Sequence, residues 1–391
     1  MRFFCILFSF ISVGYASSSD AEIKPHDQAE LTEKHGGISA SQYSQVVILP
    51  DVHGDLDALL HSLLVALRQI DNIDISFQAF AEPFYNLIYA VIGTLSRQDE
   101  FDISELYSKP ALSTRQDVVI VQLGDLVDRG PFSVECIFAM EVIPAVIGWR
   151  VVQLYGNHEL LNLERYFGFV HHRDGYLFEL LSPNNAERLR QEAFTSPSGM
   201  VYKHVISQFL GLGVLQASPS TQYESRSEDP RTLFLHGGID LEWLADVAPN
   251  GQSLHEINTK ITDLIRRSAE GELTLIDDRV SILWDRVLAQ APEPEVCAVV
   301  ELILQHFQVA RIVIGHTPQD DMTVKMRCNG AIMLADVRMS RWMISDFHEG
   351  ELSSGQPVAI IMTIDPSSEK LQSIDVHYGD IETESVTSVK L

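Results

Sequence analysis

The stretch Val118-Val-Ile-Val-Gln-Leu-Gly-Asp-Leu-Val-Asp-Arg-Gly130 constrains this chain more than any other. Its apolar, β-branched run stops abruptly at a glycine, two aspartates and an arginine. Such a run reads as a strand buried on both faces, the kind that sits inside a sheet covered by helices. Open α/β sheets keep their ligand sites at the carboxyl ends of strands, which places chemistry at Asp125.

The same arrangement recurs. Gln45-Val-Val-Ile-Leu-Pro50 delivers Asp51-Val-His53-Gly54-Asp55, and alternate positions let Asp51 and His53 leave the strand end together. Leu56, Leu59, Leu60, Leu63, Leu64 and Leu67 then form one apolar helical stripe, with Asp55 placed to cap it. Trp149 to Leu154 reads as a third strand, ending in Tyr155-Gly-Asn157-His158-Glu159, after a helix expected to begin at Pro131. Thr232 to Leu235 runs into His236-Gly-Gly238, and Ala310 to Ile314 into Gly315-His316-Thr317. Beyond these, Thr323 to Arg327, Ala331 to Ala335, Val358 to Ile364 and Leu371 to His377 are expected as antiparallel strands of a second sheet. Nearly 50 residues separate the first two strands, more than a crossover helix needs, so about 68–116 is expected as a helical insertion whose aromatic residues pack inward. Residues 160–212 are expected as a mainly helical cap, with His171 and His172 as surface or packing residues.

Asp and Glu outnumber Lys and Arg by 54 to 28, a net charge of −26, which disfavours nucleic acid as a partner. The start, Met1-Arg2, the apolar run Phe3 to Val13 and small residues near Ala16, reads as a secretory signal cut near residue 16. About 11 apolar residues are too few to span a bilayer, so no stable membrane span is expected after cleavage. The expected organisation is a signal peptide at 1–16, a flexible polar leader at 17–44, one catalytic domain at 45–380 and a tail at 381–391, in a secreted or luminal protein. Loss of Cys5 with the signal leaves Cys136, Cys297 and Cys328, an odd number that leaves at least one thiol free or paired between chains. Cys136, on an apolar helix face, is expected in the core.

Five strand ends thus carry Asp51 with His53, Asp125 with Asp128 and Arg129, Asn157 with His158, His236, and His316. Oxygen and imidazole donors without thiolate suit Mn, Fe or Zn. Grouped about Asp125 they are enough for two ions about 3.5–4 Å apart. Arg129 offers a planar fork for phosphate oxygens and His158 an acid for a leaving group. These parts fit metal-assisted phosphoester hydrolysis.

Asp51-x-His53-Gly, Gly-Asp125-x-x-Asp128-Arg129-Gly, Gly-Asn157-His158-Glu, His236-Gly-Gly and Gly-His316-Thr, in that order, resemble the calcineurin-like metallophosphoesterases, and within them the phosphoprotein phosphatase group, over about residues 46–340. The resemblance implies an α/β fold, a metallophosphoesterase β-sandwich flanked by helices. It implies two divalent metal ions, the first on Asp51, His53 and Asp125, the second on Asp125, Asn157, His236 and His316. It further implies in-line attack by a metal-bridging hydroxide, with Arg129 and Asn157 holding the phosphate and His158, oriented by Asp128, protonating the departing oxygen. Tyr155 stands where the common eukaryotic Ser/Thr phosphatases have arginine. Asn157-His-Glu-Leu-Leu-Asn162-Leu, with Arg165-Tyr166 after it, and Leu283-Trp-Asp-Arg286 look instead like the Shewanella-like, bacterial-type protein phosphatases, making Arg286 a candidate second phosphate contact. Arg338 replaces a glycine common in that subfamily. The expected substrate is a phosphoprotein or phosphopeptide on Tyr or Ser/Thr. The alternatives are a hydrolase of small phosphorylated molecules such as dinucleoside polyphosphates, or an inactive secreted binding protein. Oligomeric state is not legible.

Overall fold

The computed structural model of the protein describes residues 35–86, 110–174, 176–273, 278–343 and 355–391. The signal-like start, most of the leader and the middle of the 68–116 insertion lie outside the described residues.

Two six-stranded sheets share one continuous hydrophobic core. In the first, β2 (Gln45–Leu49), β3 (Val118–Gln122) and β4 (Arg150–Gln153) run parallel. They are extended beyond β2 by antiparallel β10 (Val358–Asp365), β11 (Lys370–Gly379) and β12 (Val386–Lys390). In the second, β6 (Thr232–Leu235), β7 (Arg311–Ile314) and β9 (Ile332–Leu334) run parallel. β8 (Lys325–Arg327) closes one edge and β5 (Gly213–Gln216) with β1 (Gly37–Ser39) the other. Each sheet thus holds three parallel strands in register, buried as a both-faces-covered strand must be.

Three sequence expectations change. The C-terminal strands do not form a separate sheet: β8 and β9 complete the second sheet while β10 and β11 widen the first, and β9 is parallel to β7. Period and β-propensity mark a strand but carry no information on its partner. Gly37–Ser39, read as part of the leader, pairs with Val214–Gln216, and Val386–Lys390, read as tail, pairs with β11. The helix after β3 spans Ser133–Val146, two residues beyond Pro131.

The helix Leu56–Asp71 follows its leucine stripe, and the Asp55 carboxylate accepts the Ala58 N–H at 3.1 Å. Residues 77–86 are helical, with Phe80 and Phe84 fully buried and Phe77 stacked on His61 at 3.6 Å, the inward packing expected of the insertion's aromatics. The 160–212 segment contains helices Tyr176–Leu181, Ala186–Thr195 and Met200–Gln208. Cys297, on the helix Glu293–Phe307, is joined to Cys328 by a disulfide with Cα atoms 5.3 Å apart, and Cys136 is a buried free thiol. No helix among the described residues is long and apolar enough to cross a membrane.

Candidate active site

The carboxyl ends of the parallel strands of both sheets converge. β2 delivers Asp51 and His53, β3 Asp125, β4 Asn157, β6 His236 and β7 His316, all at most 4% exposed. The same rule extends to a sixth strand: β9 delivers Asp336, 1% exposed. Sequence reasoning misses that residue because it gives the strand to a separate sheet, although the apolar run Ala331–Ala335 followed by an acid is the same signal.

The turns that present these groups are strained. His53, Asp125, Asp128, Arg129 and His316 all have φ between 48° and 69°, a region side chains other than glycine rarely occupy and which concentrates at functional sites. The strain is held by backbone hydrogen bonds between turns. The Asp125 carbonyl accepts from the Val52 and His53 N–H groups, each at 2.9 Å, and the His53 carbonyl from Gly130 at 3.0 Å. Two glycines are obligatory for close approach: a Cβ on Gly124 would lie 2.7 Å from the Gly156 Cα, and one on Gly156 2.2 Å from the Asp125 nitrogen. Beneath them, Glu159 accepts three backbone N–H groups, from Asp125 at 2.9 Å, Leu126 at 2.8 Å and Gly156 at 2.8 Å. The sequence places Glu159 at the end of the Gly-Asn157-His158-Glu motif without assigning it this role, which depends on burial.

Three of the strand-end histidines have one nitrogen fixed by a backbone carbonyl. His53 Nδ1 faces Val127 O at 3.3 Å, His236 Nδ1 faces Leu123 O at 2.8 Å, and His316 Nε2 faces Trp284 O at 3.0 Å. A nitrogen facing a carbonyl carries the proton, so the other nitrogen of a neutral ring presents a lone pair. For His236 that nitrogen, Nε2, lies 2.9 Å from Asn157 Oδ1 and 3.4 Å from Asp125 Oδ2. Lone pair against two oxygens is repulsive unless a proton or a metal cation stands between. Burial pulls the His236 pKa down, but Asp125 and Asp51 outweigh it and raise it to about 10. Asp125, against the cost of its burial, is held well below the usual carboxylate range by His236 and His158. Burial and Asp336 push Asp51 well up, burial pushes Asp336 to about 6, and burial with the neighbouring His236 and Arg286 lowers His316. Three buried carboxylates so close together create a demand for positive charge, and an oxygen and imidazole donor set fits divalent cations.

Ligand atoms of His53, Asp125 and His158 lie within 4.8 Å of one another, as do those of Asp125, His236 and His316, so Asp125 is shared between two clusters. Asp51 sits beside the second, its carboxylate accepting the His316 N–H at 3.0 and 3.2 Å. Glu293, Cys297 and Cys328 also meet, but those sulfurs are bonded to one another and offer no thiolate.

His158 differs from the other histidines because a carboxylate, not a carbonyl, fixes it. Its Nδ1 lies 2.8 Å from Asp128 Oδ2, its backbone N–H donates to Asp125 Oδ1 at 2.9 Å, and its Nε2 is 4.0 Å from Asp125 Oδ2. Arg129 is fixed through its backbone N–H to Phe169 O at 2.8 Å, with its guanidinium 5.2 Å from the Phe169 ring centre. Arg286 lies against the site rather than on a surface helix: Nη1 donates to His316 O at 2.6 Å. Arg338 is turned away, paired with Asp320 at 2.8 Å. The His171 and His172 rings meet at a 32° tilt with their centres 4.3 Å apart, and the His171 ring centre is 4.8 Å from that of Trp342. All the sequence candidates except Arg338, His171 and His172 therefore belong to one connected cluster.

The model of the calcineurin-like phosphoesterases matches residues 44–320, more than half of the chain. The chain belongs to the calcineurin-like phosphoesterases. Members are hydrolases of phosphate esters that use divalent metals, and the two Asp125-centred clusters supply donors of the right kind. Within the family, this phosphoesterase is 27% identical over 234 residues to Shewanella-like protein phosphatase 1 of Plasmodium berghei, covering 57% of this chain and 58% of that protein. It is 23% identical over 292 residues to Shewanella-like protein phosphatase 2 of Arabidopsis thaliana, covering 64% and 69%. An uncharacterised protein of Schizosaccharomyces pombe is 28% identical over 229 residues, covering 57% and 62%. The chain thus spans about three fifths of the Schizosaccharomyces and Plasmodium relatives. The fold is that of the cold-active protein-tyrosine phosphatase of a psychrophilic Shewanella, with a TM-score of 0.53 at 18% identity over 90% of this chain and 82% of that one.

Proposed function

We propose that this phosphoesterase is a dimetal phosphomonoesterase acting on phosphoprotein. The observation that carries the reading is Asp125, shared between two histidine clusters and held ionised in a fully buried position. Asp51, reaching over from beside His316, would join His53 and Asp125 in holding one divalent ion, and Asp125, Asn157, His236 and His316 would hold the other. When bound, the two ions neutralise phosphate charge and supply a water-derived nucleophile at neutral pH.

The chain's own residues then divide the remaining work. Arg129 and Arg286 present guanidinium groups to phosphate oxygens, the first lying over the Phe169 ring with its backbone N–H held by the Phe169 carbonyl, the second held by the His316 carbonyl. Asn157 keeps its amide oxygen toward His236, leaving its amide nitrogen to donate to the phosphate. His158 is assigned as general acid rather than ligand. Asp128 Oδ2, 2.8 Å from its Nδ1, fixes the ring and leaves Nε2 free to present a proton to the leaving oxygen.

Phosphoprotein as the substrate is supported by two Shewanella-like relatives whose names are those of protein phosphatases. An exposed aromatic rim also favours a polypeptide side chain over a small molecule sealed in a pocket: Phe169, 39% exposed, lies against Arg129 and His158, and Tyr166, 49% exposed, lies against Phe169. Entry to the secretory pathway, proposed from Met1 to Ala16, is supported by the Cys297–Cys328 disulfide, since such bonds persist in oxidising compartments.

The test is hydrolysis of a phosphotyrosine peptide, a phosphothreonine peptide and a dinucleoside polyphosphate by the chain from Ser17, with and without Mn. Metal-dependent turnover of a phosphopeptide over the nucleotide is the expected result. Preference for the nucleotide would replace the substrate, and metal binding without turnover of any of the three would favour the binding-protein alternative.

A further inference from the structure

A closed ring of buried polar side chains ties the Asp128–His158 pair to the 160–212 segment. Asp128 Oδ1, on the oxygen not used by His158, accepts Asn162 Nδ2 at 2.8 Å. Asn162 Oδ1 accepts Arg190 Nη2 at 2.9 Å, and Arg190 Nε donates to Asp174 Oδ2 at 2.7 Å. Asp174 Oδ1 accepts the Ser133 backbone N–H at 2.8 Å, and Ser133 Oγ accepts the Asp128 backbone N–H at 3.0 Å, closing the ring. None of the five is more than 4% exposed. Arg190 lies on the helix Ala186–Thr195, its guanidinium 4.4 Å from the Phe194 ring centre and 5.5 Å from that of Phe167.

Packing alone does not account for this ring. An arginine and two carboxylates buried together often add no stability over apolar side chains filling the same volume, which points to a role in specifying geometry. The geometry it specifies is that of Asp128, whose backbone stands at φ 69° and whose carboxylate orients the His158 ring. Arg190 also anchors the far end of the Asn162 amide. With its oxygen held by the guanidinium, its nitrogen is shared between Asp128 Oδ1 at 2.8 Å and the His158 carbonyl at 2.9 Å, and flipped, the amide would set oxygen against both acceptors.

We propose that Arg190 is a positioning residue for leaving-group protonation, acting on the Asp128–His158 pair through Asn162 and through its own Nη2, 3.9 Å from Asp128 Oδ1, so that the helical cap is part of the acid machinery. The inference rests on His158 acting as the general acid. In that step the proton on His158 Nε2 passes to the ester oxygen as its bond to phosphorus breaks, and the alcohol or phenol leaves neutral.

The test is the ratio of kcat/KM for phenyl phosphate, whose departing oxygen needs the proton, to that for dinitrophenyl phosphate, whose departing oxygen does not. Both are measured on the same preparation of the full chain with Mn, so any inactive fraction cancels. His158→Asn is the reference and should lower the ratio about a hundredfold. Arg190→Met and Asn162→Ala should each lower it about tenfold, because a displaced acid loses rate steeply with distance. The double variant should lower it no further than either alone, since both act on one carboxylate. Arg190→Lys keeps the charge and the aliphatic stem but not the fork, and should lower the ratio too, which decides the question if the methionine variant does not fold. Equal losses on both substrates in the Arg190 variants, with the ratio unmoved, would overturn the inference and leave Arg190 a structural residue. An unmoved ratio in His158→Asn would instead overturn the general-acid assignment itself.

Discussion

Replacing Glu159 separates two opposing effects that the structure lets one weigh. Its carboxylate accepts three buried N–H groups from the turns bearing Asp125 and Asn157. Glu159→Ala leaves all three without a partner, at about 1–3 kcal/mol each. Against this, burial and Asp125 push the Glu159 pKa up to about 7 from the usual 4.5. The ionised form therefore carries about 3 kcal/mol of penalty, which the alanine relieves. The orphaned donors win, and the expected net loss is about 3 kcal/mol of stability. Glu159→Gln relieves the same charge penalty but keeps one oxygen, able to accept from Asp125 and Gly156, so that only the Leu126 N–H meets a donor. The two effects then nearly cancel, within about 1 kcal/mol of the native protein. Urea denaturation at pH 7, read from midpoints at constant slope, measures both. Calorimetric Mn titration should add a loss of about 10–100-fold in affinity for the alanine, whose Asp125 turn is no longer held. If alanine and glutamine destabilise equally, Glu159 is not acting as the acceptor for these turns and the reasoning fails.

Three further outcomes are expected. Asp336→Asn keeps the hydrogen bond from the Arg338 N–H but removes a charge facing Asp51 and Asp125, so Mn should bind about tenfold more weakly by calorimetry; unchanged affinity would remove Asp336 from the site. Cys297 and Cys328 are 31 residues apart, so replacing both by serine should cost about 4 kcal/mol in urea denaturation, and a loss below about 1 kcal/mol would count against the crosslink. Glu135, buried in the first turn of the helix Ser133–Val146, is pushed up to about 8 by burial and by Asp174. Its folded-state pKa exceeds the unfolded value, so the stability it contributes is complete below about pH 4.5 and is lost, at up to about 1.4 kcal/mol per pH unit, as pH rises toward 8. Glu135→Gln should therefore gain stability relative to the native protein between pH 5 and pH 8, and an advantage of the same size at both would contradict the assignment.

What could be read in the sequence follows from which interactions are local. A buried parallel strand announces itself as an apolar run, and the turn after it carries its polar residues in order, so Asp51, His53, Asp125, Asn157, His236 and His316 were all legible one strand at a time. The helix Leu56–Asp71 was legible for the same reason, from its stripe and its cap. Strand pairing is not local, and Asp336 was lost when Ile332–Leu334 was given the wrong partners. Gly37–Ser39 is three residues long, too short for any period to show, and exists because Val214–Gln216 lies beside it. Glu159, Asn162 and Arg190 do their work through burial and through partners up to 34 residues away in sequence. Glu159 and Asn162 stand in recognisable motifs, but nothing in the spacing of the three shows what each of them binds.

The central claim is that Asp125 is shared by two metal ions. It is tested most directly by counting Mn bound per chain in the native protein and in Asp125→Asn, with phosphopeptide turnover measured on the same samples. The account expects two equivalents in the native protein, one or none in the variant, and turnover lost with the metal. A single equivalent in the native protein, or full occupancy and turnover retained in Asp125→Asn, would contradict it.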